Sequence, residues 1–189
     1  MNAPQDSGPS WPAFARAVIE CALHHRDPKR IQGPPGAEAP GGGGAFVTLR
    51  KFGRLRGCMG TLESGVCLAE AVRHAAISAT LHDPRFGPVG PEELKDLTIE
   101  VSVLSAPEPM RDLNGLEIGR HGIIVSRGHH RGLFLPQVAT EHGLDRETFL
   151  SRCCSEKAGL PPTAWRDPDT EVLLFTAEVF SENPTETSS

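Results

Sequence analysis

Residues 33–44 contain six glycines and three prolines, and a segment of that composition propagates neither a helix nor a strand. It carries too little apolar surface to pack a core, so residues 27–44 are expected to form a mobile surface loop. The simpler account of this loop is an insertion, and the other is a segment that closes over a neighbouring site. Either way, the fold is assembled from one segment before the loop and everything after it.

Before the loop, Ser10 stands ahead of Trp11 and Pro12, which suits a serine N-cap with proline in the first turn. Trp11, Phe14, Ala15, Val18, Ile19, Ala22 and Leu23 then recur at helical spacing to about His25. After the loop, Ala45-Phe46-Val47-Thr48-Leu49 has strand composition. Lys51-Phe52-Gly53-Arg54 is a turn into a second strand, which places Cys58 at or just past that strand's end. A helix is expected over residues 66–81, with Leu68, Ala71, Val72, Ala75, Ala76 and Ala79 forming a small-residue face that approaches a sheet closely. Asp83-Pro84-Arg85-Phe86 ends it, and Pro91-Glu92-Glu93-Leu94 begins a short helical turn. Over residues 98–104, Ile99, Val101 and Val103 alternate with Thr98, Glu100 and Ser102. Further strands are expected at 121–125, 132–135 and 171–180, and a helix at 145–157 is capped by Asp145 and stopped at Gly159. Helices and strands mix without a regular βαβ rhythm, which implies an α+β fold with mainly antiparallel pairing.

A chain of 189 residues fits one domain, or one domain with two lobes. Its net charge of −5 disfavours nucleic-acid binding through a broad basic surface. No apolar run approaches the ~20 residues that span a bilayer. The start of the chain lacks the basic and apolar regions of a secretory signal, so a cytoplasmic location is expected. The five cysteines are odd in number and show no C-x-x-C spacing, which argues against a disulfide framework or a zinc ribbon. Cys153 and Cys154 are adjacent and are expected to be reduced thiols on a helix. No cofactor is indicated.

The chemistry concentrates in Leu55-Arg56-Gly57-Cys58-Met59-Gly60. Nearby cations favour a thiolate, and Arg54 and Arg56 would share a face with Cys58 if the segment is extended. Gly57 and Gly60 would let the backbone approach a ligand. Cys58 is therefore either a nucleophile or covalent carrier, or a small buried hydrophobe. His121 is the candidate imidazole partner, and the alternative is a histidine satisfied by hydrogen bonds at a strand start. Glu100, on the polar side of an apolar strand, would act as a general base or anchor an arginine such as Arg85 or Arg56. Asp83 and Arg85 are candidates for ligand binding or for fixing a loop stiffened by Pro84. Cys58, His121 and Glu100 together would suit cysteine-dependent transferase or hydrolase chemistry. Arg54, Arg56 and glycine N–H groups would equally suit a pocket for a small anion. Their spacing specifies no metal.

The cysteine run resembles the hallmark hexapeptide of the AMMECR family, the domain also called protein A of the AmmeMemoRadiSam system. The resemblance continues in order through Phe46-Val47-Thr48-Leu49, Asp83-Pro84-Arg85-Phe86, Glu93-Leu94, Ile99-Glu100-Val101-Ser102-Val103-Leu104, His121-Gly122-Ile123, Leu135-Pro136-Gln137-Val138-Ala139 and Lys157-Ala158-Gly159-Leu160-Pro161 with Trp165. It spans nearly the whole chain, as a single domain over residues 10–181, and the polar ends at 1–9 and 182–189 are expected to be flexible tails. The resemblance implies an antiparallel sheet flanked by helices, a larger lobe from both termini, a smaller lobe from the middle of the chain, and a cleft at the cysteine run. Members of the family are associated with a Memo-like protein and a radical-SAM protein, which the resemblance implies as partners, with a small-molecule or protein substrate. The chain has no C-x-x-x-C-x-x-C for an iron–sulfur cluster of its own. A protein-binding adaptor using the same cleft is the alternative role.

Overall fold

The computed structural model describes residues 10–38, 44–62 and 66–182. The fold is α+β with antiparallel pairing, as the mixed periodicities imply. Two compact units divide the chain. One is built from the residues up to Val103 together with those from Glu178, and the other from Leu104–Ala177. This is the expected division into a larger lobe from both ends and a smaller one from the middle.

In the first unit, helix α1 (Trp11–Leu23) starts at Ser10, whose hydroxyl accepts from Ala13 N–H. Strands β1 (Ala45–Lys51), β2 (Arg54–Thr61) and β3 (Leu97–Leu104) pair antiparallel with β1 in the centre. Helix α2 (Leu68–Leu81) lays Ala69, Ala71, Val72, Ala75, Ala76 and Ala79 against the sheet. The core lies between the helices and the sheet face carrying Ala45, Val47, Leu49, Ile99 and Val101.

The alanine face matters because α2 and β2 meet at close range. A Cβ added at Gly57 would stand 2.3 Å from the carbonyl oxygen of Ala79. Leu49 faces Gly57 across the ladder, but between Leu49 and Arg50 the register shifts, so that Arg50 opposes Leu55 and Arg56 is the extra residue of a β-bulge.

The glycine-rich loop departs from expectation in its first half. Ala37 is only 2% exposed and belongs to the core. Its carbonyl accepts from Ala69 N–H, while Arg73 of α2 donates to the carbonyls of Pro28 and Ile31. A short 3-10 turn, Pro28–Arg30, is capped by Asp27. Three backbone anchors to one helix replace the apolar surface that the segment lacks. Residues 39–43 lie outside the described residues, as do 1–9 and 183–189, on which the expectation of flexible tails falls. Glu182, assigned to the tail from sequence, is instead held by Arg16 at 2.5 and 2.7 Å and by Ile99 N–H at 2.9 Å.

In the second unit, β4 (Glu108–Pro109) pairs with β7 (Glu171–Ser181), whose last residues run into the first unit. Strand β5 (His121–Arg127) pairs with β6 (His130–Phe134) and with β7. Helices α3 (Pro136–Glu141) and α4 (Arg146–Arg152) complete the unit, and Phe134 stacks on Phe149 in its core. Asp145 caps α4 as expected. The helix then widens into a π-helical segment, Cys153–Ala158, before stopping at Gly159. The wider turn lets the neighbouring thiols of Cys153 and Cys154 both be buried, and burial pushes the Cys153 thiol up to about 12.

Among the described residues no helix is long and apolar enough to cross a membrane.

Because the Ala79 carbonyl is backbone and has nowhere to retreat, Gly57→Ala is expected to destabilise the protein by about 1–3 kcal/mol. Urea unfolding checks this, with Ala22→Gly on partly exposed α1 as a comparison costing about 1 kcal/mol.

Candidate functional site

The bulge decides which side of the sheet Cys58 occupies. Counted back from the Phe52-Gly53 turn with unbroken pairing, Cys58 would stand opposite Val47, on the core face. With the bulge it stands opposite Thr48, and Thr48 in turn stands opposite Glu100 on β3. Cross-strand partners project to the same face. Cys58, Thr48 and Glu100 therefore form one row across three strands, on the sheet face that α1 and α2 leave uncovered. All three are partly buried.

Within the row, Thr48 Oγ1 donates to Cys58 Sγ at 3.3 Å. Ser181 Oγ donates to Glu100 Oε2 at 3.4 Å and extends the row toward β7. A hydroxyl that donates to sulfur favours an electron-rich sulfur and fixes its rotamer.

The backbone of Cys58 is held from the other side. Asp83, 5% exposed, accepts the Cys58 N–H at 2.8 Å through Oδ2. Arg85 donates to the Cys58 carbonyl at 2.9 Å and binds Asp83 through Nε and Nη2 at 3.0 and 2.8 Å. Asp83 Oδ1 also accepts from Arg85 N–H. The pair thus satisfies both backbone groups of one edge-strand residue, as a neighbouring strand would. Pairing with the Arg85 guanidinium, together with the two N–H donors, holds the Asp83 carboxyl well below the usual carboxylate range.

The cationic approach to Cys58 expected from Arg54 and Arg56 is not built, and the guanidinium that reaches Cys58 is that of Arg85. Arg54 stands opposite Lys51 at the hairpin end. Arg56, the bulge residue, is committed to Glu93 at 2.9 and 3.1 Å and to the carbonyls of Gly87 and Pro88. Glu93 also receives Lys51 Nζ at 2.9 Å and Gly90 N–H at 3.0 Å. The Arg56 pairing first, then Lys51 and Gly90, holds the Glu93 carboxyl down to about 2. Extended alternation, which would have put Arg54, Arg56 and Cys58 on one face, fails at the bulge.

The other sequence candidates divide in the same way. Glu100 joins the row with Cys58, but neither Arg85 nor Arg56 anchors it, because Asp83 and Glu93 have taken them. Gly57 is required by the approach of α2. Gly60 is required by the Phe46 ring opposite it, which a Cβ would meet at 2.4 Å. Packing therefore accounts for both glycines without a ligand. His121 belongs to the second unit, where its Nδ1 accepts from Glu117 N–H at 3.0 Å. In the first unit the groups around Cys58 are Thr48, Asp83 and Arg85. Among the described residues no three His, Cys, Asp or Glu side chains are placed to hold a metal ion. Thr48, Ser181 and Glu93 were missed by sequence reasoning. Thr48 carried one signal, its place on the non-core side of β1, but the bulge hides its register with Cys58.

The family model named AMMECR1 matches residues 12–180. A protein of Methanothermobacter thermautotrophicus is 53% identical over 146 residues, covering 74% of this chain and 76% of that one. Protein TK0174 of Thermococcus kodakarensis is 45% identical over 182 residues, covering 89% and 87%. The crystal structure of the uncharacterised protein PH0010 from Pyrococcus horikoshii superposes with a TM-score of 0.79 at 41% identity, covering 92% of this chain and 90% of that one.

The two depressed carboxylates predict the acid response. A carboxyl whose folded pKa lies below its unfolded value adds stability that is complete above the unfolded value and is lost as pH falls toward the folded one. For Glu93 that window runs from 4.5 down to about 2. Urea-unfolding stability should hold steady near neutrality and fall through this window. Glu93→Gln should be less stable at neutral pH and show a shallower acid decline.

Proposed function

The chain belongs to the AMMECR1 family, and from that premise we propose that it serves a modification pathway shared with a Memo-like protein and a radical-SAM protein. Its contribution to that pathway is the row Cys58–Thr48–Glu100. The observation that carries this is the cross-strand register: a bulge turns Cys58 away from the core, a hydroxyl donates to its sulfur, and a carboxylate occupies the same row. A thiol with a positioned donor and a carboxylate one strand beyond suits a covalent carrier or nucleophile for transfer or hydrolysis. The absence of a cluster-binding C-x-x-x-C-x-x-C in the chain fits a division of labour in which the radical chemistry belongs to another protein.

A second reading has its own support. Arg54 and Arg56, the cations expected to promote a thiolate, do not serve that purpose; Arg56 is locked to Glu93. A sheet face with a thiol, a hydroxyl and a carboxylate also suits a non-catalytic surface that binds a protein partner.

Two measurements separate the readings. Under iodoacetamide, a reactive Cys58 should be alkylated well before Cys21 and Cys67, which are partly buried as it is, whereas a Cys58 that serves only a binding surface should react no faster than they do, as peptide mass spectrometry would record. In a strain lacking the native protein, Cys58→Ser and Glu100→Gln should each abolish complementation if the row does chemistry. Full complementation by Cys58→Ser, with loss on substituting bulky residues at Thr48, would leave only the binding surface.

A further inference from the structure

The β1–β2 hairpin ends in a turn that local preferences do not explain. Phe52 and Gly53 have φ of 50° and 77°, the geometry of a two-residue type I′ turn, which favours Asn-Gly or Asp-Gly. A phenylalanine there is held in the left-handed region. It gains no compensating burial, being 79% exposed, the most exposed of the large apolar side chains described.

The charges around it are arranged against the same chain. Lys51 and Arg54 stand directly opposite one another, a like-charge cross-strand pair. Glu93 offsets Lys51 and Arg56. Arg50 and Arg54 are exposed and no acidic partner reaches them among the described residues. Leu55, opposite Arg50, is 40% exposed. Lys51, Phe52, Arg54, Leu55 and Arg56 line an open depression of about 490 Å³. A chain of net charge −5 thus gathers cations and exposed apolar side chains at one hairpin tip.

We infer that this tip is a docking site for a protein partner presenting an acidic segment with an apolar anchor. Such a segment would cross the tip over Phe52, meeting Leu55 and Arg50 on one face of the hairpin and Arg54 on the other, and relieve the repulsion between Lys51 and Arg54. Exposed aromatics and arginines are the residues that carry binding energy at protein interfaces. Nucleic acid is the poorer match, because the cationic patch is small and the chain is acidic. Arg50 and Leu55 share a face with the Thr48–Cys58 pair and lie one pair nearer the turn, but the inference does not depend on whether that thiol reacts.

The test uses the full chain and two fluorescein-labelled synthetic peptides, one of alternating aspartate and glutamate around a central Leu-Phe pair, the other with every acid replaced by its amide. Fluorescence polarisation should show binding of the acidic peptide, weakening with added salt, and at least about tenfold weaker binding of the amide peptide. Phe52→Asn should lose about tenfold or more in affinity while raising Tm by a few degrees, because asparagine suits the turn. Arg54→Glu, on the opposite face of the hairpin from Cys58, should lose binding and leave Cys58 alkylation unchanged. Equal affinity for both peptides, no binding of the acidic one, or undiminished binding by Phe52→Asn would each overturn the inference. So would tighter binding of single-stranded RNA than of the acidic peptide, or light scattering showing that the tip is occupied by a second copy of the chain.

Discussion

A single extra residue in β2 decides what this protein can present. Without the bulge at Arg56, the hairpin register set by the Phe52-Gly53 turn would carry Cys58 to the core face opposite Val47. With it, Gly57 rather than Cys58 meets α2, Cys58 turns to the uncovered face beside Thr48, and Arg56 swings out to Glu93. A one-residue change of register reverses every side chain beyond it, and bulges re-aim side chains near functional positions in this way. The alanine face of α2 holds the arrangement in place, since only glycine at 57 admits the Ala79 carbonyl.

The same edge strand has a second device. An edge strand exposes unpaired N–H and C=O groups, and at Cys58 those groups are taken by Asp83 and Arg85 from the loop after α2. That arrangement blocks strand addition at this residue and fixes the Cys58 backbone from the outside while Thr48 fixes its sulfur from the inside. Ionic pairing of a nearly buried aspartate makes the clamp persistent across the neutral pH range.

Much of the fold was legible in the sequence, because its signals are local. Ser10 ahead of Trp11-Pro12, the alternation around Glu100, the Asp145 cap and the Gly159 stop each act within a few residues. The site was legible only in part. Cys58 and Glu100 could be singled out by residue type, but their meeting through Thr48 depends on a bulge that has no local signature. Glu93 reaches Arg56 only through tertiary folding, whereas the Asp83–Arg85 pair is local and takes the loop-fixing role expected of it. The glycines of the cysteine run read as ligand-approach residues, yet each is explained by a helix or a ring packed against it. The loop misled for the opposite reason: its composition is unfit for a core, but Ala37 and two carbonyls are captured by α2.

Cys58 and Thr48 face each other in one cross-strand row. Because the Cys58 N–H and carbonyl point outward to Asp83 and Arg85, the two form a non-hydrogen-bonded pair, for which Cα atoms lie about 4.5 Å apart, within the range a disulfide can span. The direct measurement is mild oxidation of Thr48→Cys, followed by mass spectrometry of the non-reduced digest. The structure predicts a cross-link between position 48 and Cys58, and none between Cys58 and a cysteine introduced by Val47→Cys. A cross-link from Val47→Cys and none from Thr48→Cys would instead put Cys58 on the core face.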